Sequence, residues 1–189
     1  LVAHNYDGTH KAGVGSVDAS QYSTMNAAIT ALGSTVTTLT VSTAMVMSGN
    51  LTVPSNINLV VLNGGSIDMG GFTLTINGPF DAGLYQCFGA SGSVAFSSQH
   101  DTIEAVWFGL TANDSGVDNS ININTAIDSI QGFGNAQINL PNGIYYINNP
   151  IKVKDGNRLV GASPGTTPAT SSDTGTNLVA KSLYAGVMI

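Results

Sequence analysis

The sequence predicts a mainly β chain, a parallel β-solenoid with short capping α-helices, and three observations carry that expectation. Apolar and polar side chains alternate over many short runs, as at Leu39 and Val41, Leu51 and Val53, and Leu74 and Ile76. A pattern of polar residue, Leu, Thr and β-branched residue returns at Thr38-Leu39-Thr40-Val41, Asn50-Leu51-Thr52-Val53 and Thr73-Leu74-Thr75-Ile76. Echoes at such spacing suit strands stacked coil over coil rather than closed into hairpins. Finally, two helical patterns each stand in front of a group of strands.

Residues 1–16 contain three glycines and no sustained period, which predicts an extended leader. A module over 17–90 follows. Asp18 and Ser20 can cap, and Tyr22, Met25, Ala28, Ile29 and Leu32 recur at helical spacing before Gly33, so a helix is expected over 18–33. Its strands are expected at Leu39 and Val41, Leu51 and Val53, 57–61, and Leu74 and Ile76. Pro54-Ser55-Asn56, Asn63-Gly64-Gly65 and Gly70-Gly71 supply the turns.

Residues 91–112 form an aromatic joint that closes a run beginning at Phe80 and continuing through Tyr85, Phe88, Phe96, Trp107 and Phe108. Trp107 and Phe108 are expected to be part of a hydrophobic plug between modules; the alternative is a platform for stacking sugars. Residues 113–189 then repeat the arrangement. Ile123, Ala126, Ile127 and Ile130 mark a second helix ended by Gly132, and strands are expected over 138–140, 145–147, 151–153, 159–160 and 178–179. Leu140, Val160 and Val179 recur at about one coil's length and are expected to stack. Residues 163–177 are mostly Ser, Thr, Gly and Pro, with no large apolar side chain before the next strand, and suit a projecting, groove-shaping loop. The apolar run at the C-terminus has no terminating turn, so the chain is expected to continue past Ile189.

Composition narrows the partners. Only 8% of residues are charged, and the net charge of -6 leaves five Lys plus Arg spread too thinly for a phosphate backbone. No nucleic acid is expected. No apolar stretch approaches the roughly 20 residues of a membrane span, so no membrane insertion is expected either. Cys87, the one cysteine, reads as a buried apolar residue, and no Cys/His cluster predicts a metal. The paired glycines lack the Lys-Ser/Thr of a phosphate loop, and no cofactor is expected.

Leu140-Pro141-Asn142-Gly143-Ile144-Tyr145-Tyr146-Ile147, followed by Asn149-Pro150-Ile151 and Arg158-Leu159-Val160-Gly161, resembles the opening coils of the pectate-lyase superfamily. The subgroup is the one shared by phage tail spikes and glycan-degrading enzymes. Asp114-Ser115-Gly116-Val117-Asp118-Asn119-Ser120 stands where that family has D-G-x-x-D-D-T, with Asn119 replacing one Asp. Ile123-Asn124-Thr125-Ala126-Ile127 stands in its A-I-x-x-A-I helix. Asn26-Ala27-Ala28-Ile29, Asn50-Leu51-Thr52-Val53-Pro54, Leu74-Thr75-Ile76-Asn77-Gly78-Pro79-Phe80 and Ala82-Gly83-Leu84-Tyr85-Gln86 resemble a recurrent companion module. Glu104-Ala105-Val106-Trp107-Phe108-Gly109 is similar to its join with the β-helix. His4-Asn5-Tyr6-Asp7-Gly8-Thr9-His10-Lys11 resembles short repeats in phage tail fibres.

The resemblance implies a right-handed parallel β-helix of the pectin-lyase-like kind, in an elongated homotrimer of the phage tail that binds or degrades bacterial surface polysaccharide. Residues 1–16 would then face the virion and its other tail or baseplate proteins, with 113–189 forming the first coils of the β-helix. Part of a secreted bacterial polysaccharide hydrolase or lyase is one alternative; a carbohydrate-binding module without catalysis is another.

Glycan hydrolysis usually takes two carboxylates about 5 to 10 Å apart. Asp114 and Asp118 precede a helix, where carboxylates act as caps or partners of the helix dipole. Glu104 is the acidic candidate, but the sequence shows no partner for it. Lys152, Lys154 and Arg158, the only clustered cations a lyase could use, read as a solvated face. His4 and His10 would converge in a trimer, yet read better as exposed leader histidines than as metal ligands. No catalytic residue is therefore assigned within 1–189. Either the helix over 18–33 or the one beginning at Ser120 is expected to cover the first open coil, whose edges would otherwise invite aggregation.

Overall fold

The computed structural model describes residues 15–89, 91–97, 100–130, 136–154, 156–162 and 175–180. The chain is mainly β, and every strand pairing among the described residues is parallel. Strand β1 (Ser16–Asp18) leads through a 3-10 turn at Ala19–Gln21 into helix α1 (Met25–Leu32). There follow β2 (Thr37–Val41), β3 (Ala44–Val46), β4 (Leu51–Val53), β5 (Ile57–Val61), β6 (Ser66–Asp68), β7 (Thr73–Ile76), β8 (Phe80–Ala82) and β9 (Ser93–Phe96). Strand β10 (Thr102–Glu104) runs into a 3-10 turn at Ala105–Phe108, then come α2 (Ser120–Asp128), β11 (Gln137–Leu140), β12 (Gly143–Ile147), β13 (Arg158–Gly161) and β14 (Thr176–Ala180).

Strands β2, β3 and β4 lie in three different sheets, and β5, β6 and β7 return to the same three in the same order. Strand β8, a bridge at Phe88 and β9 follow suit. Paired residues are about 20 apart along the chain, the length of a short structural repeat. Period-two alternation makes each sheet two-faced, so one residue in two stacks inward. The ladders are Val17, Leu39, Leu59 and Phe80; Met45, Ile67 and Phe88; Leu51, Leu74 and Val94; and Val53, Ile76 and Phe96. Outward positions of β2, β4, β5 and β7 include the uncharged polar side chains of Thr38, Thr40, Thr52, Asn58 and Thr75. At the corner after β5 only glycine fits: a Cβ on Gly65 would sit 2.1 Å from the Val41 carbonyl oxygen.

Helix α1 buries Met25, Ala28, Ile29 and Leu32 against this stack. Thr24 caps it by accepting from Ala27 N at 3.1 Å. Asn26 fastens it, accepting from Ser48 N at 2.9 Å and donating to Gly49 O at 3.3 Å. Helix α2 is held in the same manner, since Asn124 accepts from Lys152 N at 2.9 Å and donates to Pro150 O at 3.0 Å.

In the second half β10, β11 and β13 form one sheet, with Ile103, Ile138 and Leu159 stacked inward, and β12 pairs with β14. The halves share one hydrophobic core. At the junction the Cys87 and Phe88 amides both donate to Trp107 O, at 3.1 and 3.0 Å, and Phe96 N donates to Ser129 O at 2.8 Å.

Several sequence expectations need correction. The first helix begins at Met25, not near Asp18; residues 16–18 form a strand instead, because Val17 completes the ladder under Leu39. Residues 151–153 form no strand, since the Lys152 amide and the Pro150 carbonyl are taken by Asn124 of α2. Leu140, Val160 and Val179 do not stack: Leu140 pairs with Gly161, Asn139 with Val160 and Tyr146 with Val179. A one-residue change of register moves Val160 to the outer face, leaving Leu159 as the inward partner of Ile138. Of the internal echoes, the later one is a true stack, Leu51 on Leu74, whereas the earlier joins β2 and β4 of different sheets. Gly132, the leader up to residue 14 with His4 and His10, and 163–174 of the expected loop lie outside the described residues.

Candidate functional site

Among the described residues the outer face of the β10–β11–β13 sheet carries a connected row of polar and charged side chains. Because Ile103, Ile138 and Leu159 turn inward, the residues between and beside them turn outward. The register aligns Thr102, Gln137 and Arg158 in one row and Glu104, Asn139 and Val160 in the next. Four side chains join hands across the three strands. Arg158 Nη2 donates to Gln137 Oε1 at 3.1 Å, Gln137 Nε2 to Asn139 Oδ1 at 2.6 Å, and Asn139 Nδ2 to Glu104 Oε1 at 2.8 Å. A cation and a carboxylate thus terminate a chain of two amides, each amide donating once and accepting once. Glu104 immediately precedes the Ala105–Phe108 turn but makes no capping bond to it, which leaves its carboxylate for Asn139.

Beside Glu104 lies a shallow groove of about 340 Å³, lined by Leu84, Glu104, Asn139, Leu140, Pro141 and Val160. Leu84 is 66% exposed and gives one wall of the groove an apolar surface open to solvent. The groove therefore pairs apolar walls with a carboxylate and a carboxamide. That set can hydrogen-bond hydroxyls and cover C–H faces. Among the described residues Glu104 is its one carboxylate, whereas hydrolysis of a glycosidic bond usually takes two. The sequence pointed to Glu104 alone; Asn139 and Gln137 emerge only from the register of three strands distant in sequence.

Trp107 and Phe108 are 7% and 6% exposed and sit in an aromatic cluster. Phe80 meets Trp107 edge to face at 5.0 Å, Phe88 meets Phe108 at 5.2 Å, and the Trp107 Nε1–H donates to Gly83 O at 3.0 Å. Neither ring offers a face to solvent. His100 lies against Phe96 at 4.9 Å between ring centroids, and burial lowers its pKa against the opposing pull of Ser97 O and Asp101.

Asp114 and Asp118 do not meet over a common cavity. Asp114 accepts from Gly116 N at 2.7 Å in an exposed turn. Asp118 accepts from Ser120 N, Ser120 Oγ, Asn148 N and Asn149 Nδ2, and so ties the start of α2 to the turn after β12. Partial burial works to raise its pKa, but these hydrogen bonds outweigh burial and hold the carboxyl below its usual range. The neighbouring Asn119 is fully buried; it accepts from Thr111 N at 2.8 Å and donates to Thr111 O at 3.0 Å. A carboxylate could not make the second bond, so this position requires an amide in this chain.

The three cations are separated in role. Lys154 pairs with Asp128 at 2.6 Å, both well exposed, Lys152 is exposed, and Arg158 is engaged with Gln137. Among the described residues no His, Cys, Asp and Glu cluster could hold a metal ion, and no helix is long and apolar enough to cross a membrane. No family model, curated protein or solved structure matches this chain.

Proposed function

We propose that this chain forms the capped start of a right-handed parallel β-helix of the pectate-lyase-like kind, within a homotrimeric, phage tail spike-like protein that recognises bacterial surface polysaccharide. The observation that carries this reading is the ordered return of β2–β4, β5–β7 and the run from β8 to β9 to the same three parallel sheets. In such a coil each turn shields the next, and the first needs a lid, a role that α1 fills with its four buried side chains. The resemblance of 140–161 to the opening coils of that superfamily supplies the biological setting, with virion tail or baseplate partners on the leader side.

Recognition is assigned to the outer face of β10, β11 and β13. The Glu104 carboxylate and the Asn139 and Gln137 amides present hydrogen-bonding groups at fixed spacing, while Leu84 and Pro141 offer apolar contact. The recognition role rests on Glu104, Asn139 and Gln137; among the described residues the groove brings together no pair of carboxylates on which to propose cleavage.

The reading is tested by sedimentation of the purified chain and by binding to a panel of purified capsular polysaccharides and lipopolysaccharide O-chains. A trimeric mass is expected, with saturable binding that Asn139→Ala and Glu104→Ala weaken without lowering the melting temperature by more than a few degrees. A monomer that binds no glycan overturns the proposal. Release of new reducing ends would overturn the assignment of recognition without cleavage, and an unsaturated product would mark a lyase.

A further inference from the structure

We propose that Asn63 is a site of spontaneous deamidation, selected by the fold from three Asn-Gly pairs, Asn63-Gly64, Asn77-Gly78 and Asn142-Gly143. The reaction takes only water. The Gly64 backbone nitrogen attacks Asn63 Cγ, the Cγ–Nδ2 bond breaks, and ammonia leaves with the proton released by that nitrogen. Water then opens the resulting succinimide at either carbonyl to give aspartate or isoaspartate, so atoms balance with no oxidant or reductant.

Attack requires a glycine nitrogen that is free of hydrogen bonds and able to swing towards the side chain. Asn63 and Gly64 are both exposed at the corner between β5 and β6. Gly65 N donates to Leu62 O at 2.8 Å, which makes Asn63 and Gly64 the two central residues of a turn. Gly64 has φ of 93° while Asn63 is not in the positive-φ region, the signature of a type II turn. The peptide N–H between the central residues of such a turn is not part of the turn's own hydrogen bond, and the Gly64 N–H meets no backbone carbonyl among the described residues. A Cβ built on Gly64 would find nothing within 4 Å, so no packed neighbour holds this glycine from that side.

The other two pairs are clamped. The Gly78 N–H likewise meets no backbone carbonyl among the described residues, but Gly78 is buried and tightly packed: a Cβ there would stand 2.1 Å from Ile57 O and 2.7 Å from Pro54 O, and Asn77 N is tied to Val53 O. Gly143 begins β12, its N–H donates to Gly175 O at 3.2 Å, and a Cβ there would meet Ala112 at 2.6 Å. Asn-Gly chemistry is thus suppressed by packing at two positions and left open at one. The product matters locally. Isoaspartate would lengthen the main chain by a methylene next to Gly65, whose backbone is pressed against Val41 O.

The test is to age the intact folded chain in mildly alkaline buffer and map the peptides by mass spectrometry, with a parallel sample unfolded in denaturant. Amide loss is expected at Asn63 alone in the folded sample, as an aspartate and isoaspartate pair, and at all three pairs in the unfolded one. Asn63→Gln should abolish the folded-state reaction while leaving the unfolded-state reaction of the other two. Equal loss at Asn77 or Asn142 in the folded chain, or retention of the Asn63 amide when the unfolded sample has reacted, overturns the proposal.

Discussion

Asp118 and Asn149, 31 residues apart, are joined by a 3.0 Å hydrogen bond from Asn149 Nδ2 to Asp118 Oδ2. The other carboxylate oxygen accepts from Asn148 N at 2.9 Å and from Ser120 N at 3.0 Å. One side chain therefore starts α2 and fixes the turn that leaves β12. Asp118→Ala takes away the acceptor of both the Ser120 amide that opens α2 and the Asn148 amide, so it should destabilise the chain by roughly 2–3 kcal/mol. Denaturant melts would show a lower midpoint at unchanged slope. The sign with pH follows from the lowered pKa of Asp118: its contribution is complete well above the ordinary carboxyl value of 3.8 and fades as pH falls below that through the folded value. The alanine variant should lose less stability than the parent over that acid interval.

Trp107 is the single tryptophan, and its ring is enclosed by Phe80 and Phe96 with its N–H satisfied by Gly83 O. Its fluorescence should be blue-shifted, poorly quenched by acrylamide and unchanged by added glycan. Trp107→Ala leaves a large cavity and a lone Gly83 carbonyl, an expected cost of about 3–5 kcal/mol. A stable, folded alanine variant that has lost glycan binding would instead make the ring a ligand contact.

How much of this was legible beforehand follows from particular residues. The ladders over Leu39, Leu51, Leu59 and Leu74 could be read because each strand there has at least two inward aliphatics in alternation. Strands β3, β6 and β10 could not, since each is three residues long and its burial rests on one side chain, Met45, Ile67 and Ile103. Strand β1 is hidden in the sequence because Asp18 does cap a turn, but the short 3-10 one rather than α1. Glu104 was visible as an acid, whereas its Asn139 partner is 35 residues away and set by strand register alone.

Cys87 is fully buried beside Phe88, and burial pushes its thiol up to about 12. Thiol reagents attack the thiolate, so the native chain should resist an aromatic disulfide reagent and react fully once unfolded. Labelling in increasing denaturant should follow the unfolding transition. Stoichiometric labelling of the native chain would contradict the burial.

His100 links the aromatic cluster to stability in mild acid. Its ring packs on Phe96, and the desolvation of that position lowers the pKa below the ordinary 6.5, although Ser97 O and Asp101 pull the other way. The unfolded chain then takes up a proton at a higher pH than the folded one. Stability is complete above 6.5, declines as pH falls from 6.5 to the folded value, and carries a constant penalty below it. This interval is separate from that of Asp118, which begins near 3.8. Melting temperature measured from neutral to mildly acidic pH should therefore show a first step assignable to His100. His100→Phe keeps an aromatic ring on Phe96 and removes the titration, so it should flatten that step while leaving the lower, carboxylate step in place. A variant with both steps intact would place the mild-acid sensitivity elsewhere.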